Sequence, residues 1–140
     1  MTFSNIDKTI SANLTFPIKI ANIVQDKLKE SNGKLIVFSS STIFGTREEY
    51  SVYAATKIGL EKFIENFSSE TGIKTLIVRN GRTDTKLRWN NYKRTVENEK
   101  NLLSAEEVAR ALKNQLNKDG KILDIFKDNE HLNISIDRRS

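Results

Sequence analysis

Apolar residues recur along this chain in two rhythms. Across residues 13–30, Leu14, Ile18, Ala21, Val24 and Leu28 fall every three or four positions, the spacing of one face of a helix. The rhythm returns at 51–69 with Ala54, Ile58, Leu60, Phe63, Ile64 and Phe67, and at 105–117 with Val108, Leu112 and Leu116. Between these lie short unbroken apolar runs: KLIVFSS at 34–40, IKTLIV at 73–78 and KILDIF at 121–126. Such short runs, rich in β-branched residues, predict strands covered on both faces, as in a parallel sheet.

The punctuation agrees with the periodicity. Asn13 stands at the start of the first helix, and Pro17 falls in its first turn, where a missing amide donor costs little. SNGK ends that helix, with Gly33 as the expected left-handed cap. Thr71-Gly72 closes the second helix and Asp119-Gly120 makes a turn. Ser104 followed by Glu107 three residues on predicts a capping box. Helices and strands that alternate with short joints imply right-handed crossovers and an α/β fold. The expectation is a single domain over 1–140, with 127–140 as a flexible tail.

Composition narrows the setting. A chain of 140 residues, 37% of them apolar, can bury one real core. No run of 18 apolar residues could span a membrane, and the start, MTFSNIDKTI, lacks the basic and apolar regions of a signal peptide. There is no cysteine, so disulfides, thiol nucleophiles and cysteine metal sites are excluded. A cytoplasmic location is the expectation. The net charge of +5 comes from 23 basic residues mixed with 18 acidic ones. The nearest thing to a basic patch is Arg79, Arg82, Lys86, Arg88, Lys93 and Arg94, with Trp89 and Tyr92 interleaved. Basic and aromatic residues together can hold nucleic acid. Here they read better as a loop beside a strand end, where small anions also bind. His131 reads as a surface residue, and no metal set is expected.

Ligands of open α/β sheets gather outside the carboxyl ends of the strands. That rule points to Ser39–Ser41, to residues 79–85 and to whatever follows Phe126. Tyr53 and Lys57 stand one helical turn apart, in YAATK, just beyond the serines. A phenol is too weak an acid–base near neutrality unless a neighbour such as an ammonium favours its ionised form. In a lysine-rich chain a Tyr-x-x-x-Lys arises by chance roughly one time in three, so the pair needs company. Ser40, thirteen residues before Tyr53, Gly45 in the loop, and Asn13 supply it.

Together these residues resemble the short-chain dehydrogenase/reductase family over about residues 5–126. GKLIVFSSSTIFG is similar to its strand ending in Ser-Ser, YAATK to its Tyr-x-x-x-Lys, NGRTDT to its Pro-Gly-x-x-x-Thr segment, and ISANL to its Asn-bearing helix start. The resemblance implies part of a doubly wound, Rossmann-like parallel sheet and an NAD- or NADP-dependent oxidoreductase that moves hydride between carbonyl and alcohol. It implies that Tyr53 is the acid/base, that Lys57 lowers the Tyr53 pKa and holds the nicotinamide ribose, and that Ser40 polarises the substrate carbonyl, with Ser41 the alternative. Asn13 would support a water linking Lys57 to solvent, and Gly81 and Thr85 would approach the nicotinamide. NGRTDTKL, NLLSAEEVA and GKILDI are also similar to reductase domains that form ribitol 5-phosphate from ribulose 5-phosphate, which would set Arg82 against a substrate phosphate.

Two departures accompany the resemblance. Asn80 stands where the family prefers proline, and no Gly-rich dinucleotide turn occurs in the chain. The expectation is therefore a catalytic half whose cofactor-binding strands come from elsewhere, a missing N-terminal half or a partner subunit. Homo-oligomers would form through the helices at 13–30 and 51–69. The alternative is a non-catalytic remnant that serves as an oligomerisation or assembly module.

Overall fold

The computed structural model describes residues 2–91, 100–118, 120–129 and 131–137. Tyr92, Lys93 and Arg94 of the basic segment lie outside the described residues, as do the side chain of Trp89 and Asp119 of the expected turn. The chain divides into two compact units, Met1–Ile77 and Val78–Ser140.

The first unit holds α1 (Phe3–Ile10), a π-turn (Ser11–Thr15), α2 (Phe16–Glu30), β1 (Lys34–Phe38), a 3-10 turn (Ser41–Phe44), α3 (Ser51–Thr71) and the start of β2 (Lys74–Asn80). Helix begins ten residues earlier than the apolar rhythm suggests. Thr2 caps α1 by accepting the Asn5 N–H at 3.3 Å. Asn13 is therefore not a helix start but lies inside the π-turn, and Pro17 lies within a continuous helical run. Proline has no N–H to return to the carbonyl four residues back, which is that of Asn13. The wider turn, in which the Phe16 N–H reaches Ser11 O, lets the helix pass the proline.

At the end of α2 the left-handed residue is Asn32 (φ 50°), not Gly33. Gly33 instead donates to Leu28 O at 2.8 Å, and a β-carbon there would lie 2.9 Å from the Leu28 side chain. Ala21, Phe67 and Ile73 form a buried cluster backed by Leu28, Leu35 and Phe63. Leu60, Ile64, Leu76 and Ile77 of the same unit are also buried. Ile58, expected on the inner face of α3, is exposed.

The second unit continues β2 and adds α4 (Lys86–Asn91), α5 (Ala105–Lys113), β3 (Ile122–Asp128) and β4 (His131–Asp137). Its core is Val78, Leu103, Val108, Ala111, Leu123 and Ile125. The capping box forms as expected: Ser104 Oγ accepts the Glu107 N–H at 3.1 Å, and Glu107 accepts the Ser104 N–H at 2.7 Å. Helix α5 stops at Lys113, short of the expected 117, and Leu116 is exposed rather than inward. Residues 131–137, expected within a C-terminal tail, form a strand paired antiparallel to β3, with Ile125 opposite Ile134. The fold is mixed α/β, with strands in the order β1-β2-β3-β4 in a mostly parallel sheet. Among the described residues no helix is long and apolar enough to cross a membrane.

Candidate active site

β1 runs into three serines, and α3 returns over them. Ser40 is extended and buried, and its Oγ accepts the Thr42 N–H at 3.3 Å, which starts the 3-10 turn. The same serine side chain lies near enough to the Tyr53 phenol to favour its ionised form. Tyr53 and Lys57 lie one turn apart on α3, and the Lys57 ammonium stands 5.6 Å from the centre of the Tyr53 ring. Ser40, Tyr53 and Lys57 are thus brought together. Ser41 is half-buried, and the hydroxyls of Ser39 and Thr42 are buried without a hydrogen-bond partner. Gly45 is extended with open space where a side chain would be, so no sharp turn calls for glycine there.

Lys57 is only 9% exposed. Its Nζ donates to the carbonyl of Phe38, the last residue of β1, at 2.9 Å. Burial holds its pKa below the usual 10.5. The Tyr53 phenol moves the other way: burial raises it above 10.0, the nearby Ser40 hydroxyl opposes this, and the neighbouring Tyr50 adds to it. Lys57, expected to lower the Tyr53 pKa, is not among the groups that set this direction. The ammonium faces the ring and the Phe38 carbonyl, and desolvation decides the direction.

Asn13 and Lys57 line one cleft of about 250 Å³, between the π-turn, the start of α2 and β1. Ser40 and Tyr53 do not line it. The Asn13 amide donates to Thr9 O at 3.1 Å, so the side chain is fixed within its own helix. Its carbonyl, left without the usual helical donor by Pro17, belongs to a residue of the cleft wall.

The other expected residues belong to the second unit. Gly81 donates to Ile125 O at 2.7 Å, and a β-carbon there would meet Phe126 Cβ at 3.2 Å. Close approach of β3 is therefore reason enough for this glycine. The Asn80 amide donates to Gly81 O and to Thr83 Oγ1, folding the loop onto itself. Thr85 is exposed, and its Oγ1 and carbonyl accept the Arg88 N–H at the start of α4. Arg82 is half-buried, with its carbonyl accepting the Leu103 N–H at 2.8 Å. Residues that the motifs do not single out are Tyr50, set edge-on to Tyr53, and Arg47 beside it. The three-residue spacing of the two tyrosines was the available signal.

The short chain dehydrogenase family model matches residues 1–96, and the chain belongs to this oxidoreductase family. Comparison with curated proteins gave no match. Among solved structures the chain is similar to an alcohol dehydrogenase from the archaeon Thermococcus sibiricus, complexed with 5-hydroxy-NADP. That likeness has a TM-score of 0.78 at 21% identity and covers 94% of this chain and 58% of that one. It is also similar to an apo SCOR enzyme from Clostridium thermocellum (TM-score 0.70, 15% identity, 89% and 54% covered). A halohydrin dehalogenase bound to ethyl (2S)-oxiran-2-ylacetate matches with a TM-score of 0.65 at 17% identity, covering 84% and 54%. The chain thus spans somewhat over half the length of the structures it matches. Identities this low speak for the fold. A dehalogenase among the neighbours means that the reaction must be argued from the site.

Proposed function

We propose that this chain carries the acid–base half of an NAD- or NADP-dependent oxidoreductase acting on a carbonyl or alcohol. The observation that carries this reading is the convergence of three side chains, with the Lys57 ammonium 5.6 Å from the centre of the Tyr53 ring and Ser40 beside the Tyr53 phenol. The Tyr53 phenol stays protonated at neutral pH and gives its proton to the carbonyl oxygen of the substrate. Ser40 donates to the same oxygen and stabilises the charge that develops on it. Lys57 and the cleft wall at Asn13 provide the route by which a water restores the proton. Ser41 and Arg82 are the candidate substrate contacts, Arg82 for the phosphate of a sugar phosphate.

The residues present fit one end of a nicotinamide cofactor. A buried ammonium in a cleft of about 250 Å³ suits a ribose hydroxyl. Gly81 and Thr85 are the candidates for the nicotinamide itself. The cofactor supplies the hydride when bound. None of these 140 residues forms a Gly-rich turn to hold its pyrophosphate, so we assign that role to a segment outside them. Helices α2 and α3, with Phe16, Ile20, Ile23 and Ile58 exposed, are the surface we assign to self-association.

The test is NADH or NADPH oxidation with a panel of carbonyl compounds, sugar phosphates included, by the chain supplied with a dinucleotide-binding half. Turnover that Tyr53→Phe abolishes, with cofactor affinity retained, is the expected result. Turnover that survives Tyr53→Phe would remove the acid–base assignment.

A further inference from the structure

Tyr50 occupies a position that local preference would not give it. It is the N-cap of α3, where Ser, Thr, Asp or Asn satisfies the first amides, and it makes no side-chain cap hydrogen bond. The residue before it, Glu49, is left-handed at φ 65°, a conformation that a non-glycine side chain adopts at a cost. A poor cap reached through a strained residue calls for a role that the helix itself does not explain.

The ring of Tyr50 meets that of Tyr53 edge-on, with centroids 5.9 Å apart and planes at 85°. This is the favourable geometry for an aromatic pair, contributing about 0.5–1.5 kcal/mol beyond burial. The Arg47 guanidinium carbon lies 5.7 Å from the centre of the Tyr50 ring, close enough for a cation–π contact. Main-chain bonds fix the same turn: Tyr50 N–H donates to Arg47 O at 3.4 Å, and Ala54 N–H donates to Tyr50 O at 2.8 Å. Arg47, Tyr50, Tyr53 and Lys57 therefore form one row along the start of α3, two cations at the ends and two rings between.

From this row we infer that Tyr50 is a positioning residue, whose ring, steadied by Arg47, holds the Tyr53 ring so that its phenol stays beside Ser40. The inference builds on Tyr53 as the proton donor, yet it can be read without any turnover. Ring orientation controls both the burial of the phenol and its placement beside Ser40, the two leading influences on its ionisation. A residue that touched neither the burial of the phenol nor its placement beside Ser40 would change stability and leave that ionisation where it was.

The experiment is a spectrophotometric tyrosinate titration of the 140-residue chain with Tyr92→Phe throughout. Tyr53 is then the one remaining tyrosine in each Tyr50 variant. With Tyr50→Phe, which keeps the ring, Tyr53 is expected to titrate above the ordinary 10.0. With Tyr50→Ala or Tyr50→Leu, which remove it, the midpoint is expected to fall back towards 10.0. If Tyr50→Ala fails to fold, Tyr50→Leu decides. Equal midpoints in the Phe and Leu variants would overturn the inference. So would loss of the fold in both ring-less variants, since Tyr50 would then be a packing residue. Failure of Tyr53 as the acid shows instead as surviving turnover in Tyr53→Phe, a separate measurement.

Discussion

Lys57 passes the face of the Tyr53 ring and ends on the Phe38 carbonyl, donating to it at 2.9 Å. A buried ammonium with that bond faces two opposing terms. Desolvation disfavours its charge, as the lowered pKa shows. Removing it orphans a carbonyl, at a cost of about 1–3 kcal/mol. Lys57→Met should relieve the first and incur the second. The expected outcome is a net stability change below about 1 kcal/mol in urea denaturation at neutral pH, because the two terms are of similar size. The turnover proposed above, measured with the dinucleotide-binding half supplied, should nevertheless be lost. A destabilisation of several kcal/mol would mean that the lysine is there for the fold.

Tyr53 makes stability depend on pH at the alkaline end. Its folded pKa lies above 10.0, chiefly through burial, so the unfolded chain gives up the proton first. The contribution is fully present below pH 10.0 and is lost as pH rises through the folded value. Lys57 acts with the opposite sign: its folded pKa is below 10.5, so stability rises with pH up to that point. Comparing wild type with Tyr53→Phe isolates the tyrosine. The stability difference between them should be flat below pH 10.0 and move against the wild type above it. A difference that stays flat from pH 10.0 upward would show a phenol free in solvent.

Much of this site was legible because its side chains follow simple geometry. Tyr53 and Lys57 share a face because they are four residues apart, and Ser40 is placed by the end of an apolar strand. The Phe38 carbonyl was not legible, since a backbone acceptor has no residue signature. The π-turn was hidden for another reason: Pro17 looks the same in a first turn as beyond a widened one, and the helical rhythm that residues 3–10 do carry, Phe3, Ile6 and Ile10, spans barely two turns. Strand β4 did leave a mark. Leu132, Ile134 and Ile136 alternate with polar residues, the period of a half-exposed strand, but the charged end of the chain outweighed it.

Gly81 separates a structural glycine from a cofactor-binding one. Its added β-carbon would lie 3.2 Å from Phe126 Cβ and 3.3 Å from Phe126 Cα. Gly81→Ala should therefore destabilise by about 1–3 kcal/mol, as overpacking does. Trimming the opposing ring with Phe126→Ala should not rescue it, since the crowding atoms are the β-carbon and the backbone. Full stability of Gly81→Ala, measured by thermal denaturation, would leave the approach of a ligand as the reason for the glycine.

Glu107 closes the start of α5 and ties it to β3. Its carboxylate accepts the Ser104 N–H at 2.7 Å at the start of α5 and the Lys127 ammonium at 2.9 Å from β3. The Lys127 hydrogen bond is the leading reason its pKa lies below the ordinary 4.5, followed by the Ser104 amide. A carboxyl depressed on folding gives stability that is present above 4.5 and is lost as pH falls through the folded value. Glu107→Gln should therefore be less stable than wild type at neutral pH, and the gap should close on acidification below 4.5. Ser104→Ala removes the other half of the box and should cost about 1 kcal/mol with much weaker dependence on pH in that range. If Glu107→Gln matched wild type at neutral pH, the bond to Lys127 would be one that water replaces at no cost.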